Sequence, residues 1–389
     1  MIRPGNRLDL LQGGADYFPA LIAACDAARH EIHIESYIFV DDASGRAVGA
    51  ALKAAAGRGV AVRMLLDGFG SRDLPATVIA DLRAAGVEVL LYRALSSIWR
   101  FRRGRLRRLH RKLAVIDARV AFVGGINIID DLDGAGLEAP RLDFAVRVEG
   151  PLVADILAVM RQLWNQLGWR HSGRRAGEPA RVIPGLEPVG RQKAELVCRD
   201  NLRRRRDIEA SYLDALRQAR LEVFIANAYF LPGRRFRHAL VEAARRGTRV
   251  VLLVQGLSDH PLFRAATRTL YAYFLENGVE IFEYRASEMH AKVAVVDGLW
   301  ATVGSSNIDP FSLLLAREAN VVAHDRRFAM ELVAAIETAL AEGSQPIYRM
   351  AWQRLPRWHR FKSWLAYGWV RILIGLSGQG RAWDGEGAA

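Results

Sequence analysis

The sequence predicts an α/β protein made of two duplicated halves, each an α/β/α sandwich with a mainly parallel sheet, packed about a pseudo-twofold axis. Three observations predict it. Strands alternate with helices along the chain, the order of elements is run through twice, and one motif recurs in both runs with unchanged internal spacing. Alternation of this kind favours a sheet covered by helices, because each element must bury its apolar side against another.

In the first run, Phe18, Leu21, Ile22 and Cys25 fall on one stripe of a helix over 17–29. Residues 31–40 alternate as a strand, which Asp41 and Asp42 end. An Ala-rich helix over 46–57, a strand over 60–66, a helix over 75–85 and a strand over 87–92 follow. The second run has a helix over 208–219, a strand over 221–230, a helix over 235–246, a strand over 249–254, a helix over 262–277 and a strand over 279–284. The anchors Ile34/Ile225, Phe39/Phe230, Gly59/Gly247, Gly86/Gly278 and Tyr92/Tyr284 align the two runs. The organisation expected is a first half over 1–170, a connecting segment over 171–195 rich in Gly, Pro and Arg, a second half over 196–345 and a basic, Trp-rich tail over 346–389.

The recurring motif is His110-x-Lys112-x4-Asp117, then Gly124-Gly125-Ile126-Asn127. It returns 180 residues on as His290-x-Lys292-x4-Asp297, then Gly304-Ser305-Ser306-Asn307. Val and Ile crowd the segment between Lys and Asp, which marks a buried strand. Alternate strand residues face the same way, so His and Lys share one face and Asp has the opposite parity. An imidazole beside a fixed ammonium fits a phosphate: a nucleophile or proton carrier next to a positive charge. The Gly-x-x-Asn segment can close a turn whose backbone N–H groups and Asn amide reach the same anion. Asp117 and Asp297 belong to the motif and stand with the catalytic candidates, their parity favouring a structural or orienting part.

This doubled pattern resembles the phospholipase D superfamily. Gly-Gly-Ile-Asn in the first copy, Gly-Ser-Ser-Asn-Ile-Asp-Pro in the second, and Glu318-Ala-Asn320 resemble its cardiolipin synthase branch in the short bacterial form. The resemblance covers about residues 5–345. It implies the phospholipase D-like fold, Asp143 and Glu318 as the acids that hold the two imidazoles in the working tautomer, and His110 as nucleophile with His290 as acid/base. Spacing alone leaves the order of the two histidines open. Gly125 stands where the wider superfamily has Ser, removing one hydroxyl contact from the first copy.

Composition narrows the function classes. A formal charge of +13 and a sequence pI near 10.2 favour anionic partners, nucleic acid or an acidic membrane. Cys25 and Cys198 are the two cysteines, with no C-x-x-C pair, so neither a disulfide framework nor a thiolate metal site is expected. The first dozen residues carry charges and Pro where a signal peptide would have an apolar core. No run of about 18 apolar residues occurs; this differs from the longer cardiolipin synthases and makes any membrane attachment peripheral, on the cytoplasmic side of the inner membrane. Of the 55 basic residues, five are lysines, and two of these are Lys112 and Lys292. A compact ammonium there is not interchangeable with a planar guanidinium.

Between Tyr92 and His110 lie 17 residues, against five between Tyr284 and His290. The extra residues carry Arg100, Arg102, Arg103, Arg105, Arg107 and Arg108, with Arg111 just beyond. A charge run is commonly a solvated face, but cations near an acidic leaflet can each contribute about 1 kcal/mol. The tail holds Trp352, Trp358, Trp364 and Trp369 among Arg354, Arg357, Arg360, Lys362 and Arg371. It reads either as a helix docked on the body or as a segment for the headgroup zone of a membrane.

Since each half supplies one His, one Lys and one Asn, a single site is most economically built by facing the copies across the pseudo-twofold axis. One imidazole would attack phosphorus and the other, protonated, would serve the departing oxygen. Lys112, Lys292, Asn127 and Asn307, with Gly125 and Ser305, would hold the phosphate. These groups do what a metal does elsewhere, so no cofactor and no metal is implied. The leading expectation is transphosphatidylation between two phosphatidylglycerol molecules, with phosphatidylethanolamine another possible donor. Hydrolysis of phospholipid or nucleic acid is the alternative, and a membrane-binding scaffold is a third. Nucleic acid is disfavoured because stacking aromatics would line a groove, whereas these tryptophans gather in the tail.

Overall fold

The structure is a computed structural model that describes residues 1–93, 107–132, 139–172, 182–200, 204–257, 261–309, 312, 316–350 and 368. Arg100, Arg102, Arg103 and Arg105 of the basic insertion and Trp352, Trp358, Trp364 and Trp369 of the tail lie outside the described residues.

The first copy runs β1 (Arg3–Gln12), α1 (Gly13–Asp26), β2 (Glu31–Ser36), α2 (Ala43–Gly57), β3 (Ala61–Asp67), α3 (Ala76–Ala84), β4 (Glu88–Tyr92), the hairpin of β5 (Lys112–Ile116) and β6 (Val120–Gly124), β7 (Phe144–Glu149) and α4 (Leu152–Ser172). The second runs β8 (Gln192–Arg199), α5 (Asp207–Gln218), β9 (Glu222–Asn227), α6 (Arg234–Arg245), β10 (Arg249–Gln255), α7 (Pro261–Arg268), α8 (Tyr271–Glu276), β11 (Glu280–Tyr284), the hairpin of β12 (Lys292–Val296) and β13 (Trp300–Gly304), β14 (Glu318–His324) and α9 (Arg326–Gly343). A short β15 (Ser344–Pro346) closes the described edge.

One sheet runs through both copies in the order β15-β11-β10-β9-β12-β13-β14-β8-β1-β7-β6-β5-β2-β3-β4. Leaving β15 aside, matching strands occupy matching places counted inward from either end. The pseudo-twofold relation therefore passes between β1 and β8, which pair antiparallel through Arg3↔Ala194 and Asn6↔Gln192. The sheet is mixed rather than mainly parallel. Parallel order holds for β2-β3-β4 and β9-β10-β11, while the inner strands pair antiparallel. The cause is local: the turns after Ile116 and Val296 are short enough to force hairpins, and only the outer strands have helical crossovers. The segment expected to connect the copies contributes its last residues to β8.

Burial follows the sequence pattern. Lys112–Ile116 and Lys292–Val296 are buried at every position, so their apolar runs are continuous rather than alternating. Leu113, Val115, Val123 and Val146 join Val293, Val303 and Val321, with α4 and α9, in one core spanning the copies. Separate cores lie under α1–α3 and under α5–α8. The two motif-bearing hairpins are thus held by a shared interior.

Asp117 and Asp297 begin the hairpin turns with φ of 50° and 51°, a conformation Asp tolerates better than most residues. The Asp117 carboxylate accepts hydrogen bonds from the N–H groups of Arg29, His30 and Glu31 at 2.8–2.9 Å. Asp297 does the same for Arg220, Leu221 and Glu222 at 2.7–3.0 Å. Each therefore ties its hairpin to the start of the neighbouring strand. At about 3.3 Å per residue, each lies roughly 20 Å along the chain from its motif histidine. The catalytic part expected for Asp117 and Asp297 is corrected accordingly: they fix the strand that carries the histidine.

Candidate active site

The segments that follow β2, β6, β9 and β13 and those that lead into β5, β7 and β12 meet around one cavity of about 610 Å³. His110, His290, Asn127, Asn307 and Asp143 line it, with Tyr37, Ile38, Ile126, Ile129, Arg141, Tyr229, Phe263, Glu288 and Asp309 among the rest of its wall. Both motif histidines therefore face a single space. A larger cleft of about 960 Å³, bordered by Glu195, Asp214, Trp300 and His324, contains neither of them.

Each imidazole is oriented by the opposite copy. His110 Nδ1 lies 3.0 Å from Glu318 Oε1, and His290 Nδ1 lies 2.6 Å from Asp143 Oδ2. The backbone repeats the exchange. His110 N–H donates to Arg317 O at 3.0 Å while Arg317 N–H donates to Arg108 O at 2.8 Å; His290 N–H donates to Leu142 O at 2.8 Å while Leu142 N–H donates to Glu288 O at 3.0 Å. A carboxylate on Nδ1 fixes the tautomer that leaves Nε2 for chemistry. Either copy by itself would have a histidine without its acid.

Lys112 and Lys292 are buried rather than on the cavity wall. Lys112 Nζ donates to His110 O at 2.9 Å and lies 5.3 Å from the centre of the Tyr37 ring. Lys292 Nζ donates to His290 O. Burial pulls their pKa values down to about 7 and about 8. Burial also lowers the His110 imidazole from its ordinary value, against the pull of Glu318. It holds His290 well below the ordinary value, with Lys292 and Lys112 adding to the effect. Asp143 is pushed up to about 6, again by burial. A bound phosphodiester anion would add negative charge beside both ammonium groups and help an imidazole keep a proton.

The two motif asparagines differ in their bonding. Asn127 Oδ1 accepts the Ile38 N–H at 3.2 Å, whereas the buried Asn307 Oδ1 has no partner. The phosphate contacts expected from Gly125 and Ser305 are corrected by the geometry. Ser305 Oγ donates to Glu318 Oε2 at 2.5 Å and accepts the Ala319 N–H at 3.1 Å, so its hydroxyl seats the acid. Gly125 N–H is taken by Phe144 O at 2.9 Å. A Cβ on Gly125 would lie 2.2 Å from Asp143 Oδ1. The shorter Asp of the first copy draws its carboxylate back to where a Ser would stand. Glycine there makes room for the acid, and the absent hydroxyl is a consequence.

Other supports had no motif to announce them. The fully buried Asp67 accepts the Leu109 N–H at 2.7 Å, and the N–H groups of Phe69 and Gly70 at 2.9 and 3.1 Å, which pins the residue before His110. Arg111 and Glu35 form a buried two-point ion pair at 2.8 and 2.9 Å that locks β5 onto β2. Tyr37 lies against His110 with ring centres 4.8 Å apart. The sequence signal for Asp67 is a carboxylate closing the apolar run Met64-Leu65-Leu66, whereas Glu35 sits in a strand that alternates polar and apolar residues and carries no such signal.

Comparison with known proteins gives a consistent result. A family model described as the cardiolipin synthase phospholipase D-like domain matches residues 21–158 and 212–340. The chain is 43% identical to cardiolipin synthase B of Escherichia coli (strain K12), covering 97% of this chain and 90% of that one. It is 30% identical to cardiolipin synthase A of Yersinia pseudotuberculosis, covering 95% and 76%. Among solved structures, phosphatidylserine synthase of Haemophilus influenzae shares the fold with a TM-score of 0.66 at 13% identity, covering 96% of this chain and 94% of that one. Polyphosphate kinase of Porphyromonas gingivalis matches with a TM-score of 0.56 at 15% identity, covering 96% and 53%.

Proposed function

The chain belongs to the family of phospholipase D-like cardiolipin synthases, and from that premise we propose that it transfers a phosphatidyl group from one phosphatidylglycerol to another, releasing glycerol. It is a phosphatidyltransferase whose substrates are phospholipids. The observation that carries the mechanism is the exchange of acids between copies, His110 with Glu318 and His290 with Asp143.

Phosphodiesters are extremely inert, and the accelerations asked of such enzymes reach about 10^17-fold. A covalent route divides the barrier in two. With Nδ1–H held by Glu318, His110 Nε2 presents its lone pair to phosphorus. The N–P bond forms as the bond to the glycerol oxygen breaks, and His290 Nε2 delivers its proton to that oxygen. In the second half-reaction the incoming lipid hydroxyl gives its proton to His290 as its oxygen bonds phosphorus and the N–P bond breaks. Protons and bonds balance over the cycle. Lys112, Lys292 and the Asn127 and Asn307 amides offset charge on the nonbridging oxygens, where preorganised donors act most strongly.

The setting proposed is the cytoplasmic face of the inner membrane, with peripheral attachment. No described helix is long and apolar enough to cross a bilayer, and the charge of +13 favours an acidic surface.

The test is to incubate the purified chain with phosphatidylglycerol vesicles across pH 5 to 9 and resolve the products. Cardiolipin and glycerol in equal amounts are expected; phosphatidic acid alone would mean simple hydrolysis and contradict the transfer. The rate with limiting substrate should be bell-shaped. As pH falls through about 6, Asp143 takes up a proton and stops holding the His290 imidazole. As pH rises through about 7 to 8, Lys112 and Lys292 lose the charge that receives the phosphate. Acid and alkaline limbs placed outside this window would count against those assignments.

A further inference from the structure

The two copies are matched in scaffold but not in the chemistry of the shared cavity. The 180-residue spacing of the motifs aligns Ile129 with Asp309 and Arg108 with Glu288, and Ile129, Asp309 and Glu288 all line the cavity. With Asp131 of the first copy on the same wall, Glu288 and Asp309 bring carboxylates to a space whose other task is to hold a phosphate anion. A carboxylate gives a phosphate nothing to bond, but its lone pairs can accept further hydrogen bonds from a part of the ligand that donates them.

The arrangement around them is built. Arg141 Nε donates to Glu288 Oε2 at 2.8 Å and Arg141 Nη1 to Asp130 O at 3.0 Å, which fixes the Glu288 carboxylate at the wall beside His290. Asp309 is 3% exposed and accepts the Ser312 N–H at 3.1 Å, so it too is held in place. Asn307, also on the wall and 4% exposed, has an Oδ1 bonded to nothing, whereas the matching Asn127 Oδ1 is taken by a backbone N–H. An ionised phosphate offers no proton to such an oxygen. An alcohol does, and leaving an acceptor of this kind buried and unpaired is costly.

We propose that Glu288, Asp309 and the Asn307 carbonyl oxygen form a subsite for the free hydroxyls of a glycerol headgroup, selecting a polyol as the alcohol that leaves from and returns to phosphorus beside His290. This rests on the transfer reading above. Asn307 then divides its amide, with Nδ2 for the phosphate and Oδ1 for a hydroxyl. The carboxylates accept from the vicinal pair, and Arg141 keeps Glu288 oriented. A site built to bind a hydroxyl discriminates against an alcohol without one, because its buried acceptors are then left unpaired.

The test uses the full chain with phosphatidylglycerol vesicles and radiolabelled glycerol or 1-propanol as added acceptor, comparing kcat/KM for label entering lipid. Wild type should favour glycerol over 1-propanol by at least about tenfold. The near-isosteric variants Glu288→Gln and Asp309→Asn should each lower that ratio by about tenfold, with KM for glycerol rising more than kcat falls. Because Glu288 also acts on the His290 charge, a rate change common to both alcohols is expected, and the ratio is the readout. An unchanged ratio in both variants, or ethanolamine competing better than glycerol in wild type, overturns the polyol subsite while leaving transfer intact. Wild type that labels no lipid with any alcohol and releases phosphatidic acid overturns the transfer reading itself.

Discussion

Replacing His110 by alanine is expected to lower cardiolipin formation by roughly 10^4- to 10^6-fold, and His290→Ala by a comparable factor with the natural substrate. The two losses have different causes, which a change of donor separates. Without His110 no nitrogen attacks phosphorus, so a donor carrying a good leaving group such as p-nitrophenol should remain inert. Without His290 the missing element is the proton for a glycerol oxygen, and p-nitrophenolate departs without one. The first turnover, a burst of about one p-nitrophenol per site, should therefore be largely restored in His290→Ala and absent in His110→Ala, while breakdown of the phosphohistidine stays slow without His290. The opposite pattern would exchange the roles. Pre-steady-state burst amplitudes with the two donors decide it.

The second large effect is expected from the acids that reach across the molecule. Glu318→Gln should cost roughly 10^3- to 10^4-fold, and Asp143→Asn about as much. The substitutions keep size and hydrogen-bonding capacity at 3.0 and 2.6 Å from the imidazoles, but an amide can donate to Nδ1 and stabilise the wrong tautomer. It also withdraws the negative charge that supports an imidazolium. Asp143→Asn should in addition remove the acid limb near pH 6 assigned to that carboxylate. Rates within tenfold of wild type with an unaltered pH profile would show that the contacts between copies are only structural.

Much of this arrangement could be read from the chain, and the parts that could not share a physical reason. The apolar runs after His110 and His290 announced buried strands, and repetition of the order implied a paired site. The same spacing could not divide structural from chemical constraint. Asp117 and Asp297 recur with the motif because each hairpin needs a carboxylate to gather three backbone N–H groups. Ser305 and Gly125 recur near it because each seats an acid of a different length. The central strand β1 was illegible: its Arg3-Pro4-Gly5-Asn6 start carries turn residues, and it is a strand because β7 and β8 pair with it on either side. The exchange of acids has no local signature, since Glu318 meets His110 across 208 residues of chain. Chain order likewise hid the mixed character of the sheet, which depends on how tightly the two motif hairpins turn.

The central claim is that two half-sites close on one phosphorus atom. The most direct measurement is a crystal structure of the full chain with orthovanadate, which takes the five-coordinate geometry of a phosphoryl group in transfer. One vanadium per chain is expected, bonded to His110 Nε2, with an oxygen on the opposite side within hydrogen-bond distance of His290 Nε2. Vanadate bound at each histidine separately, or at one with the other imidazole turned out of the cavity, would contradict it.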